Sequence, residues 1–111
     1  MVKQKTARKR FQRAVKRITD WVRSVRHQPI GRQAAGMTTR LRGHFNYYGV
    51  TGNMRALSRF RHVAVTAWHK WLNRRSQRRR MNWDRMNELL HRLKVPQPFV
   101  PRSIYRESAN L

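Results

Sequence analysis

Residues 54–73 read "MRALSRFRHVAVTAWHKWLN", and the spacing of their apolar positions decides the fold class. Leu57, Phe60, Ala64, Ala67, Trp68, Trp71 and Leu72 recur at helical spacing. At about 100° per residue they share one side of an α-helix. Arg55, Arg59, His62, Thr66, His69 and Lys70 form the opposite stripe. Asn53 stands where a side-chain N-cap is preferred, which predicts a helix from about Met54 to Asn73.

Working back toward the N-terminus, Met37, Leu41, Phe45 and Tyr48 share a face of a helix predicted over about Met37 to Tyr48. Gly49 occupies the position of a left-handed C-cap, and Val50-Thr51-Gly52 reads as a tight connection. A further periodic segment runs from about Thr6 to Arg26, with Phe11, Ala14, Val15, Ile18, Trp21, Val22 and Val25 on its apolar stripe. Lys9, Arg13, Lys16, Arg17 and Arg23 fall outside that stripe, and Asp20 lies one turn from Lys16 and Arg23. Pro29 and Gly31 mark the break after it.

Toward the C-terminus, Asn82 reads as the cap of a fourth helix buried through Trp83, Met86, Leu89, Leu90 and Leu93. Beyond it, "KVPQPFVPRSIYRESANL" holds three prolines in six positions and predicts an extended, docked or frayed tail. No segment alternates as a strand does. The chain is expected to be all-α, a small bundle of about four helices. Residues 1–5 form an N-terminal extension, 6–95 the helical domain and 96–111 the extended tail.

The 111 residues include 27 Lys+Arg against 4 Asp+Glu, a net charge of +23. Such an excess is the footprint of a polyanion-binding protein, because each neutralised phosphate releases counterions. No stretch approaches the roughly 20 apolar residues of a membrane-spanning helix. The opening "MVKQKTARKRF" lacks the apolar run of a secretory signal. There is no cysteine, which excludes disulfides and thiolate metal sites and fits a reducing compartment. A chain of this size buries only about two-thirds of its unfolded surface, and the charge repulsion works against it further. A partner is therefore expected to support the fold.

Catalytic and metal chemistry find little to work with. His62 and His69 are seven apart without nearby carboxylate or cysteine ligands, so surface or RNA-contacting histidines are expected and no metal or other cofactor. Four acidic residues are thin provision for a two-metal polymerase or nuclease. Asp84 and Glu88 sit early in a helix, where acids complement its dipole. No phosphate loop and no nucleophile–base set is present.

The basic run is a stronger signal. Arg74, Arg75, Arg78, Arg79 and Arg80 lie within seven residues, beside the basic stripe that carries Arg55, Arg59, His62 and Lys70. Arginine pairs bidentately with phosphate and stacks on bases. Ser76 and Gln77 supply neutral hydrogen bonds to phosphate or ribose. Shape and backbone contacts, not base reading, are expected. Within "LRGHFNYYGVTGN" (41–53), Gly43 costs about 1 kcal/mol relative to Ala in a helix. It is tolerated where another backbone, of protein or nucleic acid, comes close. Tyr48 is expected inward with Leu41 and Phe45, leaving Tyr47 near His44 at the edge. Two roles stay open for Tyr47, stacking on a base or capping the core.

At "LRGHFNYYGVTGNMRALSRF" (41–60), "HKWLNRRSQRRRMNW" (69–83) and "PRSIY" (101–105), the chain resembles the maturase-specific region of group II intron reverse transcriptases. The likeness spans about Thr6 to Tyr105. Its most specific parts are Leu41-Arg42-Gly43, Tyr47-Tyr48-Gly49, Asn53, Arg55-Ala56-Leu57 and Trp71 to Arg78. The resemblance implies a helical thumb, or domain X, that grips intron RNA for splicing and lies against the template–primer duplex during reverse transcription. Carried over by position, the RNA-contacting candidates are Arg42, His44, Arg55, Arg59 and the segment Arg74 to Arg80, including Arg75, Gln77, Arg78 and Arg79. The polymerase's Tyr-Ala-Asp-Asp type segment is absent, so no catalysis is expected of this chain. A free-standing thumb is expected, of the bacterial forms lacking an endonuclease, in the cytoplasm with nucleic acid. Its alternatives are a subunit that completes a separately encoded reverse transcriptase, or a decayed fragment with generic nucleic-acid affinity.

Overall fold

The computed structural model describes residues 2–49, 53–75 and 80–99, with side chains from residue 8 onward. Among them four helices form in chain order, α1 (Val2–Ser24), α2 (Ile30–Tyr48), α3 (Met54–Arg75) and α4 (Trp83–Arg92). No strand occurs among the described residues, and none of their helices is long and apolar enough to cross a membrane.

Contacts along α3 set the helix directions. Phe11 meets Phe60 edge-on at 6.5 Å, and Arg23 and Arg26 reach Trp71, so α1 and α3 run the same way. α2 runs back against both, since its Gln33 bonds to Trp68 while its His44 stacks on Phe60. One contiguous core joins Ile18 and Val22 of α1, Met37, Leu41 and Phe45 of α2, Leu57, Phe60, Ala64, Val65, Trp68 and Leu72 of α3, and Met86, Leu89 and Leu90 of α4. Side chains of this kind each contribute about 1.5–3 kcal/mol when fully buried. Val65 had no place in the expected apolar stripe. It is buried because α4 covers a second side of α3.

Among the described residues the core holds one buried polar side chain, Gln33. Its Oε1 accepts from Trp68 Nε1 at 2.9 Å, and its Nε2 donates to the Gln28 carbonyl at 2.6 Å. Both ends of the carboxamide are thus satisfied, as a buried amide requires. The bond also fixes the register of α2 against α3.

Several expected boundaries move. α1 runs back to Val2, into the expected extension at 1–5. α2 begins at Ile30 and not near Met37, because the Pro29 carbonyl accepts from the N–H groups of Arg32 and Gln33 at 3.0 Å each. Proline thus opens α2 directly, and Gly31 lies inside its first turn. Gly49 is right-handed, with φ −67°, so the expected left-handed cap is not there. Lys94 is left-handed instead, with φ 56°. Its N–H bonds to the His91 carbonyl and that of Val95 to the Leu90 carbonyl, the paired bonds of a Schellman ending with buried Val95 as its apolar contact.

The two asparagine caps form as expected. Asn53 Oδ1 accepts from Ala56 N at 3.2 Å, and Asn82 Oδ1 from Arg85 N at 2.9 Å. Beyond α4 the described tail is extended and docked. Arg61 Nε donates to the Pro96 carbonyl at 2.9 Å, and Phe99 meets Phe45 edge-on at 5.7 Å. The Val50-Thr51-Gly52 connection, Ser76, Gln77, Arg78, Arg79 and residues 100–111, including the "PRSIY" segment, lie outside the described residues.

Candidate nucleic-acid interface

Trp71 is the focus of the strongest basic cluster. Its ring is half-buried between the ends of α1 and α3. Four cations lie over or beside it: Arg74 at 4.9 Å, Arg26 at 5.5 Å, Lys70 at 5.7 Å and Arg23 at 5.9 Å from the ring centroid. Each such contact is worth about 0.5–1 kcal/mol at an exposed site, which offsets part of the repulsion of gathering like charges. Arg75 ties this end of α3 to the α1–α2 turn, its Nη1 donating to the Gln28 carbonyl at 2.6 Å.

Asn73, near the end of α3, is tied to Met81, just before α4. Asn73 Oδ1 accepts from Met81 N at 2.6 Å, and Asn73 Nδ2 donates to the Met81 carbonyl at 3.3 Å. His69 Nε2 reaches the same carbonyl and lies 3.2 Å from Asn73 Nδ2. The His69 ring is further fixed by stacking on Trp83 at 4.3 Å. Arg74 and Arg80 then line one open groove of about 590 Å³ with Lys70 and Asn73. Arg74 and Arg80, described residues on either side of 76–79, thus face the same groove.

A second groove, of about 490 Å³, opens between α1 and α2. Arg17 and Arg40 stand on its walls with Gly43, His44 and Tyr47. His44 lies flat against Phe60, with centroids 3.5 Å apart and planes 6° from parallel, and contacts Tyr48 at 4.5 Å. Burial lowers its pKa from 6.5 to about 4, so the ring is neutral at pH 7. Tyr47 is 70% exposed and touches Tyr48 edge-on at 4.7 Å.

The predicted residues therefore divide among separate places. Lys70, Arg74, Arg75 and Arg80 gather at the C-terminal end of α3. His44 and Tyr47 belong to the α1–α2 groove. Phe60 and Trp71, which mark the two regions, are about 16 Å apart along α3 at 1.5 Å per residue. Arg42 and Arg55 are exposed. Arg59 is exposed and lies over Phe11 at 5.4 Å. His62 is exposed, 6.4 Å from Trp83. Gln77, Arg78 and Arg79 fall outside the described residues.

His44, expected at the edge beside Tyr47, is half-buried there under Phe60 and Tyr48. Two expectations need correction. His69, expected on the solvent side, is held by Trp83 and the Met81 carbonyl. Trp83, expected inside, is 41% exposed because it covers His69 from without. At Gly43 a Cβ would meet nothing within 4 Å, so of the two approaches expected there, by protein or by nucleic-acid backbone, no described protein segment makes the first.

Sequence reasoning also missed residues. The helical periodicity gives Arg26 and Arg40 no part and puts Arg23 on the solvent face of α1. Gly36 is the glycine that permits close packing: a Cβ there would lie 2.4 Å from Trp21 Cζ2. Arg40 covers the same indole at 4.0 Å. The four-residue step from Gly36 to Arg40 is visible in the sequence, but the tryptophan they share is on another helix. Among the described residues no three His, Cys, Asp or Glu side chains converge as metal ligands. No family model, curated protein or solved structure matches the chain.

Proposed function

We propose that the chain is a non-catalytic RNA-binding module that binds group II intron RNA and assists its folding and splicing. The convergence of Arg23, Arg26, Lys70 and Arg74 on Trp71, beside a groove shared by Arg74 and Arg80, is the observation that carries it. A net charge of +23 and the likeness of residues 41–60 and 69–83 to the maturase-specific region support it. The RNA supplies the reaction's chemistry. The protein neutralises phosphates where intron helices approach one another, lowering the repulsion that opposes the active fold.

Binding to a group II intron RNA, against a length-matched structured RNA, tests this at about 150 mM and about 500 mM salt. Preference for the intron should persist at the higher salt. Equal affinities that collapse together would overturn the assignment. Charge reversal of Arg23, Arg26, Lys70 and Arg74 should flatten the salt slope by about 3 log units per log unit, at roughly 0.7–0.9 for each phosphate left without its cation.

A further inference from the structure

Gly43 presents a discrepancy within α2. A mid-helix glycine is destabilising relative to alanine, and at Gly36 in the same helix the packing of Trp21 explains it. At Gly43 no described neighbour does, since a Cβ would enter open space. That open space belongs to the α1–α2 groove, whose volume of about 490 Å³ lies within the range of small-ligand sites, roughly 300–1,000 Å³.

The walls of the groove specify its occupant. Tyr47 offers an exposed aromatic face. Arg17 and Arg40 bring positive charge from two different helices. Arg40 is held in place by Trp21 and by its bond to the Gly36 carbonyl at 3.3 Å. His44 contributes a neutral ring on the groove wall, immobilised against Phe60. An aromatic face, flanking cations and the space left by Gly43 suit a planar base carrying a phosphate.

We propose that the α1–α2 groove is a pocket for one unpaired nucleotide of RNA, its base stacked on Tyr47, its phosphate held by Arg17 and Arg40, and Gly43 leaving room for it. This rests on the RNA-binding function above but concerns a site distinct from the Trp71 cluster. It gives a role to Tyr47, the one aromatic of the segment at 41–53 that the core does not use. The Trp71 cluster supplies sequence-independent attraction, while the groove selects RNA that can turn a nucleotide out of its stack.

The test uses two RNA hairpins, identical except that one carries a single unpaired 2-aminopurine in its stem. The wild-type chain should bind the bulged hairpin about tenfold more tightly, the effect of one stacked base, and should change the fluorescence of the probe. Gly43→Leu fills the groove and should abolish both effects while leaving affinity for the paired hairpin within about twofold. Tyr47→Ala, on an exposed side chain, provides the same test should the first variant not fold. Equal wild-type affinity for both hairpins, or retention of the difference in both folded variants, would overturn the pocket. Loss of intron preference with the bulge preference intact would remove the splicing function and leave the pocket standing. The reverse pattern would remove the pocket alone.

Discussion

Replacing Gly36 and Gly43 by alanine, one at a time, separates backbone propensity from packing within a single helix. Both glycines lie inside α2, so each substitution gains about 1 kcal/mol of helix propensity. They differ in what the new methyl meets. At Gly43 it meets nothing within 4 Å, whereas at Gly36 it stands 2.4 Å from Cζ2 and 2.9 Å from Cη2 of Trp21. Trp21 must retreat by about 1 Å to restore ordinary contact distance. The indole packs against the core on one side and carries Arg40 at 4.0 Å, so its movement disturbs both. Overpacking of this kind costs about 1–3 kcal/mol. Gly43→Ala should therefore stabilise by about 1 kcal/mol, and Gly36→Ala should be less stable than it by about 1–3 kcal/mol. In a domain of this size each kcal/mol moves Tm by about 4–8 °C. Thermal unfolding followed by circular dichroism at 222 nm, at one fixed salt concentration, reads the difference directly. Equal Tm shifts for the two variants would refute the packing of Trp21 against Gly36.

Other parts of the structure yield shorter tests. Gln33→Leu strands the buried Trp68 Nε1–H and should cost about 1–3 kcal/mol in urea unfolding; an unchanged midpoint would count against that bond. Lys94→Gly relieves a left-handed conformation at φ 56° and should raise stability by about 1 kcal/mol; a fall in Tm would show that the side chain matters more than the backbone. Asn73→Ala removes the partner of the Met81 N–H, so that amide should lose its protection in hydrogen exchange and affinity for RNA should fall; unchanged protection would exclude that bond. His44 binds its proton less readily folded (about 4) than unfolded (6.5). Its contribution is therefore present above pH 6.5 and declines as pH falls toward 4. His44→Phe should reduce the loss of Tm across that window, and identical pH profiles would contradict burial of the neutral ring.

The helices were legible where one apolar period ran unbroken. α3 and α4 begin at the residues that their asparagine caps predict, because Asn53 and Asn82 act on their own next turns. α2 was legible only in its second half. Its first turns carry Gly31 and Gly36, which lower local propensity, and the buried Gln33 is held by Trp68 of α3 instead. The ending of α4 was hidden because lysine holds a position where glycine is commoner. At the interface, the basic residues near 70–80 were visible as a run. Their grouping with Arg23 and Arg26 was not, since the indole that gathers them lies more than 40 positions along the chain. The neutral state of His44 was not legible either, since the Phe60 ring that stacks on it belongs to another helix.

With 27 Lys+Arg against 4 Asp+Glu, most cations in this protein have no carboxylate to meet, and the structure shows what replaces one. Arg59 lies on Phe11, Arg40 on Trp21 and four cations on Trp71. Arg26, Arg40, Arg61 and Arg75 donate to backbone carbonyls. Rings and carbonyls orient a cation without cancelling its charge, so the long-range field survives folding in full. A carboxylate partner would have fixed the same side chains but reduced that field. The side chains are thus partly ordered before an anion arrives, which lowers the entropy lost on binding, while their charge remains available to it. This arrangement links the aromatic content of the chain to its basicity: Trp21 and Trp71, packed against the core, also position the cations that lie outside it.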